Sequence, residues 1–164
     1  MSLLPAIQIC RVNYADETHA AALTRLLDSY ARDVMGGGKP LAADVLGKVA
    51  AELAKRPHAF SVLAFVDETP AGLVNCFEGF STFAAKPLVN VHDVTVEPQY
   101  RGRGIARLML AEVERIARER GCCKLTLEVL QGNTTAIGVY NNFGFGGYKL
   151  VDAMGQAMFF QKQL

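Results

Sequence analysis

Hydrophobic and polar residues along the first part of the chain predict a strand, two helices and three further strands. Apolar residues from Ala22 to Tyr30 recur at helical spacing, after the potential capping oxygens of residues 16–18. The glycine-rich stretch Gly36–Pro40 then breaks this helix and forms a flexible joint. The other predicted elements are an alternating strand at 7–12, an Ala-rich helix at about 41–56, and apolar strands at 60–66, 72–80 and 89–97.

The remaining part of the chain predicts a long helix, a strand, a short helix and two closing strands. The long helix covers about 104–120, carries one apolar face and has Gly121 as its C-terminal cap. The elements after it are a strand at 124–130, a helix at 133–142 and short strands near Tyr148 and Phe159. Because no repeat, low-complexity tract or linker interrupts this order, residues 1–164 are predicted to form one mixed α/β domain.

The composition is that of a folded globular protein. The 164 residues are 51% hydrophobic and 20% charged, which excludes intrinsic disorder. The 17 basic and 16 acidic residues give a formal net charge of +1, so no global excess of charge attracts nucleic acid or an anionic membrane. The apolar stretches are shorter than the roughly 20 residues of a spanning helix. We therefore expect no nucleic-acid or membrane partner, and any anion must bind to a local cluster.

Cysteine and histidine spacing predicts neither a disulfide framework nor a structural metal site. The four cysteines, Cys10, Cys76, Cys122 and Cys123, contain no C-x-x-C pair, and the three histidines are scattered. The N-terminus has no basic segment and no cleavage signature, so we expect no secretion signal. Reduced thiols in a cytoplasmic protein are the expectation.

The stretch 94–106 contains the most informative chemistry, because a strand, a sharp turn and a long helix follow one another there. The helix begins with glycine and arginine and has no side chain of the capping type, so its first N–H groups need another partner. Arg101, Arg103 and Arg107 add guanidinium groups within one turn. A phosphate or pyrophosphate is the ligand that suits such a helix start. The alternative is a helix start whose N–H groups bind only water.

The residues of this loop, Gln99-x-x-Gly102-x-Gly104, resemble the Q/R-x-x-G-x-G/A acetyl-CoA loop of the GNAT N-acetyltransferase family. Residues 133–145 are similar to the family's N-x-x-A-x-x-x-Y-x-x-x-G-F segment. The resemblance implies the GNAT fold, an α/β domain with a mixed, mostly antiparallel central sheet flanked by helices, in the order β-α-α-β-β-β-α-β-α-β-β. It also implies acetyl-CoA as the cosubstrate and no metal.

The same resemblance implies which residues bind acetyl-CoA. In the family, the pantetheine arm pairs with the strand that ends before the glycine loop, and the pyrophosphate lies against the loop. The implied binding residues are Val94, Thr95, Val96, Gln99, Arg101, Gly102, Arg103, Gly104, Ile105, Ala106, Asn133 and Tyr140.

Tyr140 falls on the family's tyrosine position, which implies that it is the general acid for the leaving thiolate. An ordinary tyrosine has a pKa of about 10 and stays protonated at pH 7, so it has a proton to give. Without the resemblance, Tyr140 on a short helix is more typical of an aromatic packing residue. The motif favours the catalytic interpretation.

The general base has four candidates. Glu128 lies twelve residues before Tyr140, a spacing similar to that in family members that acetylate protein N-termini. On the strand that precedes the loop, alternation places His92 on one face and Asp93 and Glu97 on the other, unless a bulge intervenes. Glu128 and His92 rank together, followed by Asp93 and then Glu97. Each has an equally plausible structural role.

The acceptor predicted by the resemblance is a primary amine of a small molecule, such as an amino acid or a polyamine-like amine. Residues 80–93 are partly similar to polyamine acetyltransferases, but His92 stands where those enzymes have glutamate. Acidic residues that are candidates for holding a cationic amine are Asp28, Asp33, Glu78 and Asp93. A protein N-terminus or lysine, and a non-catalytic CoA-binding sensor, remain alternatives. Many family members are dimers, which leaves a homodimer open.

Overall fold

A computed structural model describes residues 6–149 and 151–164. The described elements are β1 (Ile7–Arg11), α1 (Glu17–Arg32), α2 (Ala43–Leu46), α3 (Val49–Ala54), β2 (Ala59–Val66), β3 (Thr69–Ser81), β4 (Lys86–Val96), α4 (Ile105–Glu119), β5 (Leu125–Leu127) and α5 (Thr134–Phe143). Short 3-10 turns lie at Val34–Gly36, Pro98–Tyr100 and Asp152–Met154. The expectation of no secretion signal concerns the start of the chain, where residues 1–5 lie outside the described residues.

The five strands form one sheet in the order β1-β2-β3-β4-β5. The first three pairings are antiparallel and the β4–β5 pairing is parallel, which confirms a mixed, mostly antiparallel sheet. Asp67 and Glu68 connect β2 to β3 with φ angles of 45° and 66°, the left-handed conformations of a tight hairpin turn. The parallel β5 instead follows the long helix α4, as a crossover connection requires.

Helices cover both faces of the sheet, so β2 is buried along its whole length. α1 buries Leu23 and Leu26 in a cluster that includes Leu63 of β2 and Leu73 of β3. α4 packs against β1, β2, β3 and β4. A side chain at Gly72 would approach Met109 of α4 to 2.8 Å, so this glycine admits the helix on the face opposite to Leu73.

The Ala-rich helix predicted at 41–56 is interrupted. α2 ends at Leu46 and α3 begins at Val49, with Gly47 as the C-terminal cap of the first. Glycine in a helix interior costs about 1 kcal/mol relative to alanine, so the break falls where the helix is weakest.

The two closing strands predicted near Tyr148 and Phe159 are wrong, because residues 145–149 and 155–164 contain no strand. A single backbone hydrogen bond, from the amide of Ala157 to the carbonyl of Tyr148 at 3.2 Å, joins these stretches among the described residues. Apolar alternation predicts a strand only where a neighbouring strand supplies its hydrogen bonds. The strand predicted at 124–130 is also shorter, since β5 ends at Leu127.

The chain divides into two compact units, one extending to Leu127 and one from Glu128 to Leu164. The first contains the sheet and α1 to α4, and the second contains α5 and the C-terminal stretch. Within the described ranges, no helix has the length and apolar character needed to cross a bilayer.

Candidate active site

The loop between β4 and α4 is built on two glycines in the left-handed conformation. Gly102 and Gly104 both have a φ of +76°, which side-chain-bearing residues rarely adopt. Gly104 caps α4 without a side-chain hydrogen bond, and the helical ladder starts where the amide of Leu108 donates to the carbonyl of Gly104 at 3.1 Å. The first N–H groups of this 15-residue helix therefore have no side-chain cap, and they lie at the positive end of its dipole, where negative charge is favoured.

Of the three arginines predicted to bind phosphate, Arg101 and Arg103 make contacts within the protein. The Arg101 guanidinium donates to the carbonyl of Val96 at 2.9 Å and to Asp33 Oδ2 at 3.0 Å, so it braces the loop. Arg103 lies with its guanidinium carbon 5.4 Å from the Tyr100 ring centroid, and its Nη2 donates to the carbonyl of Gln99 at 3.3 Å. Arg101 therefore donates to two protein acceptors, one of them a carboxylate, whereas the exposed Arg103 donates to a single carbonyl.

Next to this loop, the end of β4 extends beyond its pairing with β5. The β4–β5 ladder covers only Val89 to Val91, whereas β4 continues to Val96 and pairs with β3 on its other side. The backbone of Val94, Thr95 and Val96 thus lacks a β5 partner. Such an edge accepts an extended, amide-bearing ligand by strand addition, as predicted for a pantetheine arm.

A bulge in β4 changes the predicted arrangement of His92 and Asp93. Asn75 of β3 pairs with Asp93 and its neighbour Cys76 pairs with Val91, so His92 is the extra residue. The His92 ring packs edge-on against Phe77, with ring centroids 5.2 Å apart. Asn75 and Phe77 lie on the α1 face, so the bulge turns both His92 and Asp93 to this face. Simple alternation had predicted opposite faces.

Four acidic residues are candidates for holding the cationic amine of the acceptor, and Asp93 is the one that has no cationic partner among the described residues. Its Oδ2 accepts from Asn75 Nδ2 at 3.0 Å, a neutral donor. Burial, with the charges of Asp93 and Asp33, raises the pKa of Tyr30 on α1, which keeps that phenol protonated beside them. The other three acidic candidates are occupied by guanidinium groups, Asp28 by Arg32 at 2.8 Å, Asp33 by Arg101 at 3.0 Å and Glu78 by Arg120 at 2.9 Å.

Glu97 has a structural position that argues against its candidacy as the base. Its side chain is 10% exposed, and its Oε1 accepts from Ser29 Oγ at 2.6 Å. Its Oε2 lies 3.5 Å from Arg25 Nη1. These contacts tie the end of β4 to α1, so both carboxylate oxygens are engaged.

The second unit holds Glu128, Asn133 and Tyr140, while the predicted binding residues Ile105 and Ala106 form the start of α4 in the first unit. Asn133 caps α5, because its Oδ1 accepts from the amide of Ala136 at 3.2 Å. Tyr140 is half-buried on α5 and packs edge-on against Phe145, with ring centroids 5.9 Å apart. Glu128 is exposed and directly follows β5. Asn133 thus has a local structural role, and the catalytic roles of Tyr140 and Glu128 remain predictions.

Two site residues went unpredicted from the sequence. Asn75 and Ser61 lie in apolar strands and are 3% and 1% exposed. Each is a polar side chain inside an otherwise hydrophobic stretch, and this pattern could have identified them. Burying such a side chain costs free energy unless it is hydrogen-bonded. Here Asn75 contacts a predicted base directly.

Comparison with known proteins places the chain in a family. Residues 22–145 match the model of the acetyltransferase (GNAT) family, about three quarters of the sequence. The chain belongs to the acetyltransferase (GNAT) family. It is 32% identical over 91 residues to thialysine N-epsilon-acetyltransferase of Caenorhabditis elegans, which covers 56% of this chain and 55% of that protein.

A second relative, streptothricin acetyltransferase of Streptomyces lavendulae, is 36% identical over 80 residues, which cover 49% of this chain and 42% of that protein. The chain therefore spans about half the length of these curated relatives. Among solved structures, an aminoglycoside N-acetyltransferase, AAC(6')-Iy, in complex with CoA has a TM-score of 0.76. It is 22% identical and covers 100% of this chain and 99% of its own, so it supports the fold.

Proposed function

We propose that this protein transfers the acetyl group of acetyl-CoA to a primary amine of a small cationic molecule. The observation that carries the proposal is the glycine-capped N-terminus of α4, which follows the part of β4, Val94–Val96, that β5 does not cover. A phosphate-bearing ligand with an extended amide arm fits both features at once. Membership in the acetyltransferase (GNAT) family supports acetyl-CoA as that ligand.

In this proposal the loop holds the pyrophosphate and the strand holds the arm. The backbone amides that follow Gly102 and Gly104 donate to the phosphates, and Arg103 adds a charge-assisted hydrogen bond. The backbone groups of Val94 and Val96 pair with the pantetheine amides, while Thr95 between them bonds to β3 and holds this edge in place. Arg101 contributes indirectly, since its contacts with Val96 and Asp33 hold the loop in place.

The reaction is a direct attack in a ternary complex. The amine nitrogen forms a bond to the thioester carbon, the C–S bond breaks, and the departing sulfur takes a proton from Tyr140. A base removes one proton from the amine, with Glu128, His92 and Asp93 as the candidates. Making a lysine-like amine neutral at pH 7 costs about 4.6 kcal/mol, so a base accelerates the reaction, typically by about 10²–10⁴-fold.

Asp93 supports a cationic acceptor. It is an acidic side chain on the α1 face that no cation neutralises among the described residues, and Tyr30 and His92 share its surroundings. Thialysine and streptothricin acetyltransferases are named for small molecules, and this likeness favours a small acceptor over a protein. We further propose that both units form one acetyltransferase domain, because the family match runs across the boundary at Leu127. A cytoplasmic location and a homodimer remain predictions.

Reversing the charge of Arg103 tests the cofactor site. In Arg103→Glu a carboxylate replaces the guanidinium that donates a hydrogen bond to the phosphate at the helix N-terminus. Because the carboxylate repels the phosphate, we expect the dissociation constant for CoA to rise about tenfold or more. Isothermal titration calorimetry at low and high salt measures this change, which salt should reduce.

Arg118→Glu is the matched control, since Arg118 lies in the last turn of the same helix and pairs with Glu114. It should leave CoA affinity unchanged. Equal affinities for Arg103→Glu and the unmodified protein would place the phosphates elsewhere.

A further inference from the structure

A row of polar side chains crosses the buried α1 face of the sheet and ends at Asp93. Tyr14 Oη lies 2.8 Å from Ser61 Oγ, Ser61 Oγ lies 2.6 Å from Asn75 Oδ1, and Asn75 Nδ2 lies 3.0 Å from Asp93 Oδ2. Ser61, Asn75 and Asp93 are cross-strand neighbours on β2, β3 and β4, so the register of the sheet aligns them. Polar residues at these positions are costly to bury unless each is hydrogen-bonded.

The direction of every hydrogen bond in this row follows from the carboxylate at its end. An ionised Asp93 only accepts, so the Asn75 amide must present its NH₂ group to Asp93 and its oxygen to Ser61. Ser61 then donates to Asn75, and Tyr14 donates to Ser61. Burial raises the pKa of Tyr14, which keeps the phenol protonated as this direction requires.

We propose that Asn75, supported by Ser61 and Tyr14, is a positioning residue that fixes the Asp93 carboxylate for the acceptor amine. Asn75 holds Oδ2 of Asp93, which leaves Oδ1 to meet the amine on the α1 face. The inference rests on the proposed function. The row orients Asp93 and does not conduct protons, because a side-chain amide has no readily transferred proton.

The bulge makes this support necessary. His92 is the extra residue in β4, so regular pairing is interrupted immediately before Asp93. Bulges re-aim side chains, and Asn75 is the hydrogen-bond donor that holds the re-aimed Asp93 carboxylate among the described residues. The row is anchored by residues with little freedom, since Ser61 is 1% and Asn75 3% exposed.

Steady-state kinetics of Ser61→Ala, Ser61→Thr and Asn75→Leu test the proposal, with thialysine, spermidine and neamine as acceptors. Ser61→Ala removes the donor that orients the amide, and Asn75→Leu removes the contact with Asp93. We expect kcat/KM for the amine to fall about tenfold in both, with the KM for acetyl-CoA unchanged. Ser61→Thr keeps the hydroxyl and should restore most of the activity.

Val62→Ala is the control for lost stability, because Val62 is fully buried on the same strand with its side chain on the opposite face. It should lower the unfolding temperature without changing kcat/KM. Acceptor kinetics of Asn75→Leu that match those of Val62→Ala would overturn the proposal. Failure of the unmodified protein to acetylate any acceptor would instead contradict the proposed function.

Nuclear magnetic resonance tests the hydrogen-bonded row from Tyr14 to Asp93 by a readout that does not depend on enzymatic activity. The side-chain NH₂ resonances of Asn75 should shift and lose protection from exchange in Asp93→Ala and in Ser61→Ala, but not in Val62→Ala. Resonances that Asp93→Ala leaves unchanged would mean that Asn75 does not hold this carboxylate.

Discussion

Replacing Tyr140 with phenylalanine is expected to lower kcat by about 100-fold or more and to leave the affinity for CoA unchanged. The substitution removes only the hydroxyl, which is the proton donor in the proposed mechanism, and the ring keeps its contact with Phe145. An effect on the chemical step alone lowers kcat and kcat/KM equally. Steady-state kinetics with acetyl-CoA, together with calorimetric titration of CoA, measure both quantities.

Tyr148→Phe is the matched control, since Tyr148 lies in the same unit, is exposed and has no predicted catalytic role. It should retain full activity. Unchanged turnover in Tyr140→Phe would remove Tyr140 as the acid and return it to a packing role.

Gly104→Ala is expected to weaken CoA binding by about tenfold or more. A Cβ at Gly104 meets nothing within 4 Å in the protein itself, so the expected loss of affinity comes from a clash with the phosphates of the proposed complex at this helix N-terminus. The left-handed conformation, with a φ of +76°, also costs roughly 1–2 kcal/mol for a residue with a side chain. Calorimetry measures the affinity, and denaturant unfolding measures the stability.

Gly121→Ala separates these two effects. Gly121 has a φ of +71° and also has nothing within 4 Å of a Cβ, but it follows the opposite end of α4. It should lose similar stability and bind CoA normally. Equal CoA affinity in the two variants would contradict a phosphate site at the N-terminus of α4.

Sequence patterns predicted the elements that have strong local signals. The long apolar face of α4 and the flanking glycines placed that helix within one residue at each end. The prediction of two C-terminal strands was wrong, because a strand needs a neighbouring strand to pair with, and local alternation does not reveal one. Gly47 was a visible break in the predicted helix at 41–56, yet its neighbouring alanines outweighed it.

The candidate site was predictable where it depends on backbone conformation. The glycines of the loop indicated a backbone with unusual conformational freedom, and the structure gives both of them the left-handed conformation, while the anion site itself stays a prediction. The partners of charged side chains were not predictable, since they depend on residues distant in sequence. Asp33, 68 residues before Arg101, holds that guanidinium in place, and Ser29, also 68 residues away, holds Glu97. The bulge at His92 likewise depends on pairing with β3.

The most direct test of the account measures thiol release from acetyl-CoA by the purified protein, with thialysine, spermidine, neamine and a peptide as acceptors. We expect amine-dependent release with at least one small cationic acceptor, together with the acetylated product by mass spectrometry. CoA binding without turnover on any acceptor would favour a sensor, and turnover on the peptide alone would favour a protein substrate. Absence of both CoA binding and thiol release would contradict the proposed acetyl-CoA-dependent activity.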